Sequence, residues 1–208
     1  MQSISTIGLD IAKSVFQVHG VDAAGQVVIR RQLKRRFVMS FFEKLPPCLV
    51  GIEACASSHY WSRELQALGH TVRLMPPAYV KPYVKRQKND TTDAEAICEA
   101  VTRPNMRFVP IKTIEQQSCL MLHRVRHLFI RQQTAVINSI RAYLAEFGVV
   151  APVGRRGVEQ LLEVVADPAE CRLPEVARAC LAALGSQLRA LKAQILDFDR
   201  RIIAWHRS

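Results

Sequence analysis

Several features that mark common protein classes are missing from this sequence of 208 residues. It has no run of about 18 apolar residues and no signal-peptide pattern after Met1, so we expect a soluble, cytoplasmic protein. The six cysteines form no CxxC pair and no Cys/His spacing of the zinc-finger kind, which indicates reduced thiols. The phosphate-binding loops GxxxxGK(S/T) and GxGxxG and the nucleophile elbow GxSxG are also absent. These absences argue against use of ATP or a dinucleotide and against a serine hydrolase.

Positive charge is what the sequence has in excess. Lys and Arg number 29 against 18 Asp and Glu, a formal net charge of +11. Such a surface attracts a polyanion such as nucleic acid, with an anionic membrane surface as the alternative. The length and the 49% hydrophobic content allow one buried core plus an extension.

The first half of the chain alternates between strand and helix patterns. Three strands are expected in TIGLDI, SVFQVHG and QVVIRRQL, with turn residues at Asp22–Gly25. We then expect a helix around Phe37–Leu45, a strand in CLVGIEA, a helix at about Ser58–Leu68, a strand at Thr71–Leu74 and a helix at Asp90–Val101. This order predicts an α/β fold with a mixed sheet flanked by helices.

The second half predicts a helical arm. A long helix is expected over about Thr113–Phe147, and apolar residues spaced by three and four continue to Trp205 as a heptad seam interrupted only at Gly185 and Ser186. The seam needs a partner helix, either the long helix of the same chain or a second copy. We therefore expect a domain over residues 1–110, an α-helical coiled-coil arm over 111–208 that supports homo-oligomers, and a natural protein that continues past Ser208.

Charge is distributed unevenly within this arm. Residues 112–156 contain seven basic side chains against two acidic ones, whereas residues 157–208 contain seven of each. We expect the long helix to contact phosphates. Its candidate nucleic-acid-binding residues are Arg124, Arg126, Arg131 and Arg141.

Four carboxylates are the candidate catalytic and metal-binding residues. Asp10 and Glu53 each end an apolar strand, where a carboxylate needs a partner or a metal, and Asp90 and Asp93 lie one turn apart at a helix start. Structural salt bridges for the first two and helix capping for the second two are the alternatives. Together the four offer only hard oxygen ligands, which suits Mg²⁺ or Mn²⁺.

Three segments around these acids resemble one known family. GLDIAKSVFQVHGVD surrounds Asp10, LVGIEACASSHYWSREL surrounds Glu53, and RLMPPAYVKPYVKRQKNDTTDAEAICEAV contains Asp90 and Asp93. They resemble the DEDD-type transposases of bacterial insertion sequences, which are relatives of the Piv-like invertases. The resemblance continues through LMLHRVRHLFIRQQTAVINSIRAYLAEFG and so covers nearly the whole chain.

This resemblance implies an RNase H-like (RuvC-like) domain in which the four acids bind the metal ions. It also implies cutting and rejoining of DNA, guided by an RNA that the element encodes. Family members continue into a C-terminal domain with a nucleophilic serine, so we expect this chain to be an incomplete N-terminal part. A stand-alone RuvC-like nuclease and a non-catalytic nucleic-acid-binding remnant are the alternatives.

A basic, aromatic segment precedes the Asp90 helix. Stacking on bases with phosphate neutralisation is the functional interpretation, and a solvated basic loop with packed tyrosines is the alternative. The smaller basic cluster Lys34, Arg35 and Arg36 has the same ambiguity. His123 and His127 have the spacing of a helical zinc site, but without the glutamate of HExxH we favour backbone contact with nucleic acid. The nucleic-acid-binding candidates in the segment are Tyr79, Lys81, Tyr83, Lys85, Arg86 and Lys88.

Overall fold

The chain forms two compact units in the computed structural model, Met1–Thr113 and Ile114–Ser208. The structure describes residues 3–84 and 90–207, with the side chains of Asp90, Thr91 and Arg155 left out. Within these residues, none of the helices combines the length and the apolar character needed to cross a membrane.

The first unit is built on a five-stranded sheet in the order β3-β2-β1-β4-β5. β1 to β3 form an antiparallel meander, and β4 and β5 run parallel to β1 on its other side. The predicted mixed sheet is therefore confirmed, with β1 at its centre. The strands are β1 Thr6–Ile11, β2 Val15–Val21, β3 Val27–Lys34, β4 Leu49–Glu53 and β5 Thr71–Met75.

Four helices of the described residues accompany the sheet. α4 has the predicted bounds, and α2 ends just before Gly69, whose φ of 91° suits glycine after a helix. The helix expected around Phe37–Leu45 is shorter than predicted, because the chain first makes a 3₁₀ turn at Arg35–Phe37. The helices are α1 Val38–Phe42, α2 Ser58–Ala67, α3 Pro77–Val80 and α4 Asp90–Val101, with a second 3₁₀ turn at Lys81–Tyr83.

The two faces of the sheet are covered differently. On one face, alternate residues such as Leu9, Phe16 and Ile52 pack with Trp61 and Leu65 of α2 in the main core. On the other face lies α4, whose Ala96, Ile97, Ala100 and Val101 belong to a second, smaller apolar cluster. The sheet is therefore sealed by apolar packing on the α2 side and only partly covered on the α4 side.

The second unit consists of three helices, α5 Ile114–Ala145, α6 Arg155–Ala166 and α7 Glu175–Arg207. α5 and α7 run antiparallel, because Arg126 pairs with Asp199 while Phe129 stacks edge-on against Phe198. The long helix α5 of the same chain thus packs along α7. This is the first of the two partners that were considered for the heptad seam. Coiled-coil geometry and a second copy of the chain stay predictions.

α6 was not predicted from the sequence. Its apolar residues Val158, Leu161 and Val165 are buried and follow helical spacing, so the pattern was present. α7 is continuous through Gly185, where the predicted seam was interrupted. A Cβ atom at Gly185 would lie 2.9 Å from Cδ2 of Leu162 in α6, so this glycine permits a close helix contact.

The six cysteines are all free thiols, as expected. Burial raises the pKa of Cys48 and of Cys98 to about 11, so both remain protonated at neutral pH.

Candidate carboxylate site and nucleic-acid interface

Asp10 and Glu53 lie on adjacent parallel strands. β1 and β4 pair Gly8 with Gly51 and Leu9 with Ile52, and the next step of this register sets Asp10 beside Glu53. Neighbouring strands are about 4.8 Å apart. Two acids separated by 43 positions in the sequence therefore come together at the carboxyl ends of two central strands.

Two glycines bring α4 onto the same face of the sheet. A Cβ atom on Gly8 would lie 2.0 Å from the Ala94 carbonyl oxygen, and one on Gly51 would lie 2.8 Å from Cβ of Val101. α4 therefore rests directly on both glycines. Because strand residues two apart point to the same side, Asp10 and Glu53 face the side on which α4 lies. Asp93 directly precedes Ala94 and so lies at the part of α4 above Gly8.

The pKa of Glu53 reflects both its burial and the closeness of the other acids. Burial, followed by the negative charges of Asp10 and Asp93, raises the pKa of the Glu53 carboxyl above its ordinary value. All three residues are half-buried. The site thus concentrates negative charge at one strand end, an arrangement that a cation would relieve.

The described side chains do not by themselves form a closed metal site. Among residues 3–84 and 90–207, no three His, Cys, Asp or Glu side chains were found close enough to hold an ion. The side chain of Asp90 lies outside the described residues, although its backbone begins α4. The donor set of carboxylate oxygens fits Mg²⁺ or Mn²⁺ chemically, and the metal assignment stays a prediction.

A repeated triplet anticipates this site and escaped the sequence analysis. Gly8-Leu9-Asp10 and Gly51-Ile52-Glu53 share the form Gly-x-acid, in which the glycine admits α4 and the acid follows on the same face. Gln17, which pairs with Asp10 across β1 and β2, was likewise not predicted as a site residue. Strand alternation alone indicates that Gln17 and Asp10 share a face.

The basic, aromatic segment is described only in part. Tyr79 is exposed at the end of α3, and Lys81 is exposed in the following 3₁₀ turn. Tyr83 packs against the α4 cluster, and the Arg103 guanidinium lies 5.9 Å from its ring centre. Its ring therefore contributes to the fold, as the packing alternative proposed. The predictions for Lys85, Arg86 and Lys88 lie outside the described residues.

The four arginines of α5 have different surroundings. Arg124 and Arg131 are exposed, whereas Arg126 forms an ion pair with Asp199 of α7. The half-buried Arg141 donates to the carbonyl oxygens of Ala151, Pro152 and Gly154 in the loop before α6. Phosphate contact stays a prediction for all four. Arg124 and Arg131 are the most accessible for it.

The histidines of α5 also lie on its surface. His123 and His127 are exposed, and the ring of His123 lies 6.4 Å from that of His206 near the end of α7. No zinc-binding group of three ligands was found among the described residues.

Comparisons with known proteins agree with the three segments around the acids. A family model described as a transposase of the DEDD, IS110 type matches residues 7–148. A protein of Pseudomonas aeruginosa named "Probable family 20 transposase" is 53% identical over 97% of this chain and 60% of its own length. The transposase for insertion sequence element IS1328 of Yersinia enterocolitica is 37% identical, over 97% of this chain and 60% of its own length.

A further relative is the Sinorhizobium fredii protein named as transposase y4pF/y4sB. It is 48% identical, and the match covers all of this chain and 53% of that protein. The chain thus spans between about half and three fifths of the lengths of these three relatives. Since the family model covers more than half of the chain, including the strands and the helix that position the carboxylates, the chain belongs to the DEDD, IS110 type of transposase family.

Proposed function

We propose that this chain is the metal-ion and nucleic-acid-binding part of an insertion-sequence transposase that cuts and rejoins DNA. Asp10, Glu53, Asp90 and Asp93 would hold Mg²⁺ or Mn²⁺. The observation that carries the proposal is the placement of the acids, because the β1/β4 register sets Asp10 beside Glu53, and α4 rests on Gly8 with Asp93 directly before the contact at Ala94. The names of the relatives support the same activity.

The chemistry needed is displacement at a phosphodiester. Divalent ions held by these acids would supply the positive charge that activates the attacking oxygen and stabilises the leaving oxygen. The residues of this chain would bind and orient: strand ends hold Asp10 and Glu53, and α4 presents Asp90 and Asp93 one turn apart. Rigid strands and a helix that rests on the sheet backbone are suited to such positioning.

The architecture supports an RNase H-like (RuvC-like) assignment for the first unit. Its five-stranded mixed sheet has the acids at the ends of the central strand and its parallel neighbour. The second unit would grip nucleic acid, including an RNA guide encoded by the element, through the exposed Arg124 and Arg131 of α5.

Metal binding is the first test. Mg²⁺ binding by the wild-type chain is measured by calorimetry and by thermal unfolding, where Mg²⁺ at about 100 times its dissociation constant adds about 2.7 kcal/mol of stability. Asp10→Asn and Glu53→Gln should abolish both effects. Glu43→Gln is the matched control, because Glu43 is an exposed acid just after α1. Equal binding by all four proteins would refute the site.

Activity on DNA is the second test. The chain is incubated with branched DNA and Mg²⁺, with Asp10→Asn as the inactive control. Binding without cutting is the result expected of a chain that spans only about half to three fifths of the lengths of its transposase relatives. Efficient hydrolysis by the wild type alone would instead support the stand-alone nuclease.

A further inference from the structure

The surface of β2 and β3 beside the carboxylates is polar. Asp10 pairs with Gln17, Gln17 pairs with Gln32, and Val15 pairs with Lys34. Residues directly opposite each other in antiparallel strands lie on the same face. Gln17, Gln32 and Lys34 therefore continue outward from Asp10 on the α4 side of the sheet, and we call these three residues the strip.

The strip is open to solvent. Gln32 and Lys34 are exposed and Gln17 is half-buried. One row closer to α4, the exposed Arg30 of β3 lies 3.7 Å from Glu95 of α4, so the helix reaches that row. The strip lies beyond it, at the end of the sheet where Asp10 and Glu53 stand. On the opposite side of the same strands, Phe16 and Leu33 are buried in the main core.

The charge of this region favours an anionic occupant. The strip carries one charge, the ammonium of Lys34, and no acid, while the neighbouring Arg30 is paired with Glu95 and Arg31 lies on the opposite face. A solvated outer face of a sheet is the simplest alternative, and it usually carries both signs of charge. Positive charge without acids, next to the carboxylate cluster, instead suits a polyanion that contacts the strip along its length and reaches a cation held by the carboxylates.

The dimensions suit a nucleic-acid strand. Gln32 is two strand spacings from Asp10, about 10 Å at about 4.8 Å for each spacing. A nucleic-acid strand rises about 3.4 Å per nucleotide. The strip thus matches the backbone of about three nucleotides, with amide N–H groups of the two glutamines and the ammonium of Lys34 as donors to phosphate oxygens.

We propose that the strip docks the DNA strand whose phosphodiester enters the carboxylate site. The inference rests on the proposed function, since it takes the acids as the reacting centre. Lys34 neutralises a phosphate, and Gln17 and Gln32 hold the strand in line with Asp10. These residues act by positioning the strand.

The test compares two charge removals on one strand. Lys34→Gln removes a charge from the strip, and Arg31→Gln removes one from the opposite face of β3, where the Arg31 guanidinium lies 6.0 Å from the Phe41 ring centre. Binding of a labelled duplex DNA is measured by fluorescence anisotropy over a series of salt concentrations, with melting temperatures to verify folding. One lost phosphate contact lowers the salt slope by about 0.9, or roughly eightfold in affinity near 0.1 M salt.

Lys34→Gln should show this loss, and Arg31→Gln should stay within about twofold of wild type because its guanidinium faces away from the strip. A photo-crosslinking side chain at position 32 should capture DNA, and the same side chain at position 31 should not. Equal losses of DNA affinity in both variants, no loss in either, or equal crosslinking at the two positions would refute the proposal that the strip docks DNA.

The experiment separates this inference from the proposed function. If Asp10→Asn abolishes Mg²⁺ binding while Lys34→Gln and Arg31→Gln behave alike, the strip is wrong and the metal site stands. If the wild type binds no Mg²⁺ while Lys34→Gln still weakens DNA binding more than Arg31→Gln does, the proposed metal function is refuted. The proposal that the strip positions a DNA strand at a metal-ion site is then refuted as well.

Discussion

Replacing Gly8 by alanine tests how the carboxylate site is assembled. The new Cβ atom would lie 2.0 Å from the Ala94 carbonyl oxygen and 2.4 Å from the Cys98 amide nitrogen. Both obstacles are backbone atoms of α4, so no change of side-chain rotamer relieves them. To restore even a 3.0 Å contact, α4 must withdraw from β1 by about 1 Å, the difference between 3.0 and 2.0 Å.

The cost of this withdrawal follows from packing. Overpacking a close-packed interior costs typically 1–3 kcal/mol, and a backbone obstacle belongs at the upper end. We expect Gly8→Ala to destabilise the first unit by about 3 kcal/mol, which lowers its melting temperature by roughly 10 °C or more. Because metal ligands need placement within about 0.5 Å, Mg²⁺ binding should weaken even where the variant remains folded.

Gly51→Ala is the graded control. Its Cβ atom would meet the Val101 side chain at 2.8, 3.0 and 3.1 Å, and a side chain yields more readily than helix backbone. A cost of about 1 kcal/mol is expected, partly recovered when Val101→Ala removes the two γ carbons. Denaturant unfolding and Mg²⁺ calorimetry measure both series. A Gly8→Ala variant no less stable than Gly51→Ala would refute the close contact between α4 and β1.

Three further predictions follow from individual side chains. The raised pKa of Glu53 means that ionisation of its carboxyl destabilises the fold as pH rises above the ordinary carboxyl range. Glu53→Gln should therefore raise the free energy of unfolding of the metal-free chain near pH 7 by less than about 1 kcal/mol. This gain should vanish in acid, which melting measured as a function of pH would reveal. Arg141→Ala should destabilise the helical unit by about 2 kcal/mol in denaturant unfolding, because three loop carbonyls lose their hydrogen-bond donor. Replacing the exposed Arg131 by alanine should instead leave the free energy of unfolding within about 0.5 kcal/mol and weaken DNA binding. Arg178 donates to the carbonyls of Val165, Asp167 and Glu170, so Arg178→Ala should cost about 2 kcal/mol by the same measurement, and an unchanged unfolding midpoint would contradict that role.

Much of the secondary structure was predictable from the sequence because its signals are local. β-branched residues and a turn signal marked β1 and β2, a short apolar run marked β4, and a capped apolar stripe marked α4 with its observed bounds. α6 has an equally regular pattern over Val158, Leu161 and Val165 and could have been found. The short α1 was harder, since a 3₁₀ turn and an α-helix share nearly the same spacing.

The candidate acids could be chosen from the sequence, but their meeting could not be read from it. Asp10 and Glu53 stood out as carboxylates in apolar strands, and Asp90 and Asp93 stood out as acids one turn apart at a helix start. The family resemblance then implied that all four bind metal ions. Periodicity assigns a residue to one side of its own element and says nothing about which element lies opposite.

The sequence by itself determined the types and order of most elements, the strong positive charge and the acids at strand ends, because these depend on residues close together along the chain. Only the tertiary structure decided that β4 pairs with β1 in parallel, that α4 rests on Gly8 and Gly51, and that Gln17 stands beside Asp10. It also decided that Arg141 holds a loop. These outcomes depend on long-range contacts, whose free energies come from burying surfaces against partners that local patterns do not name.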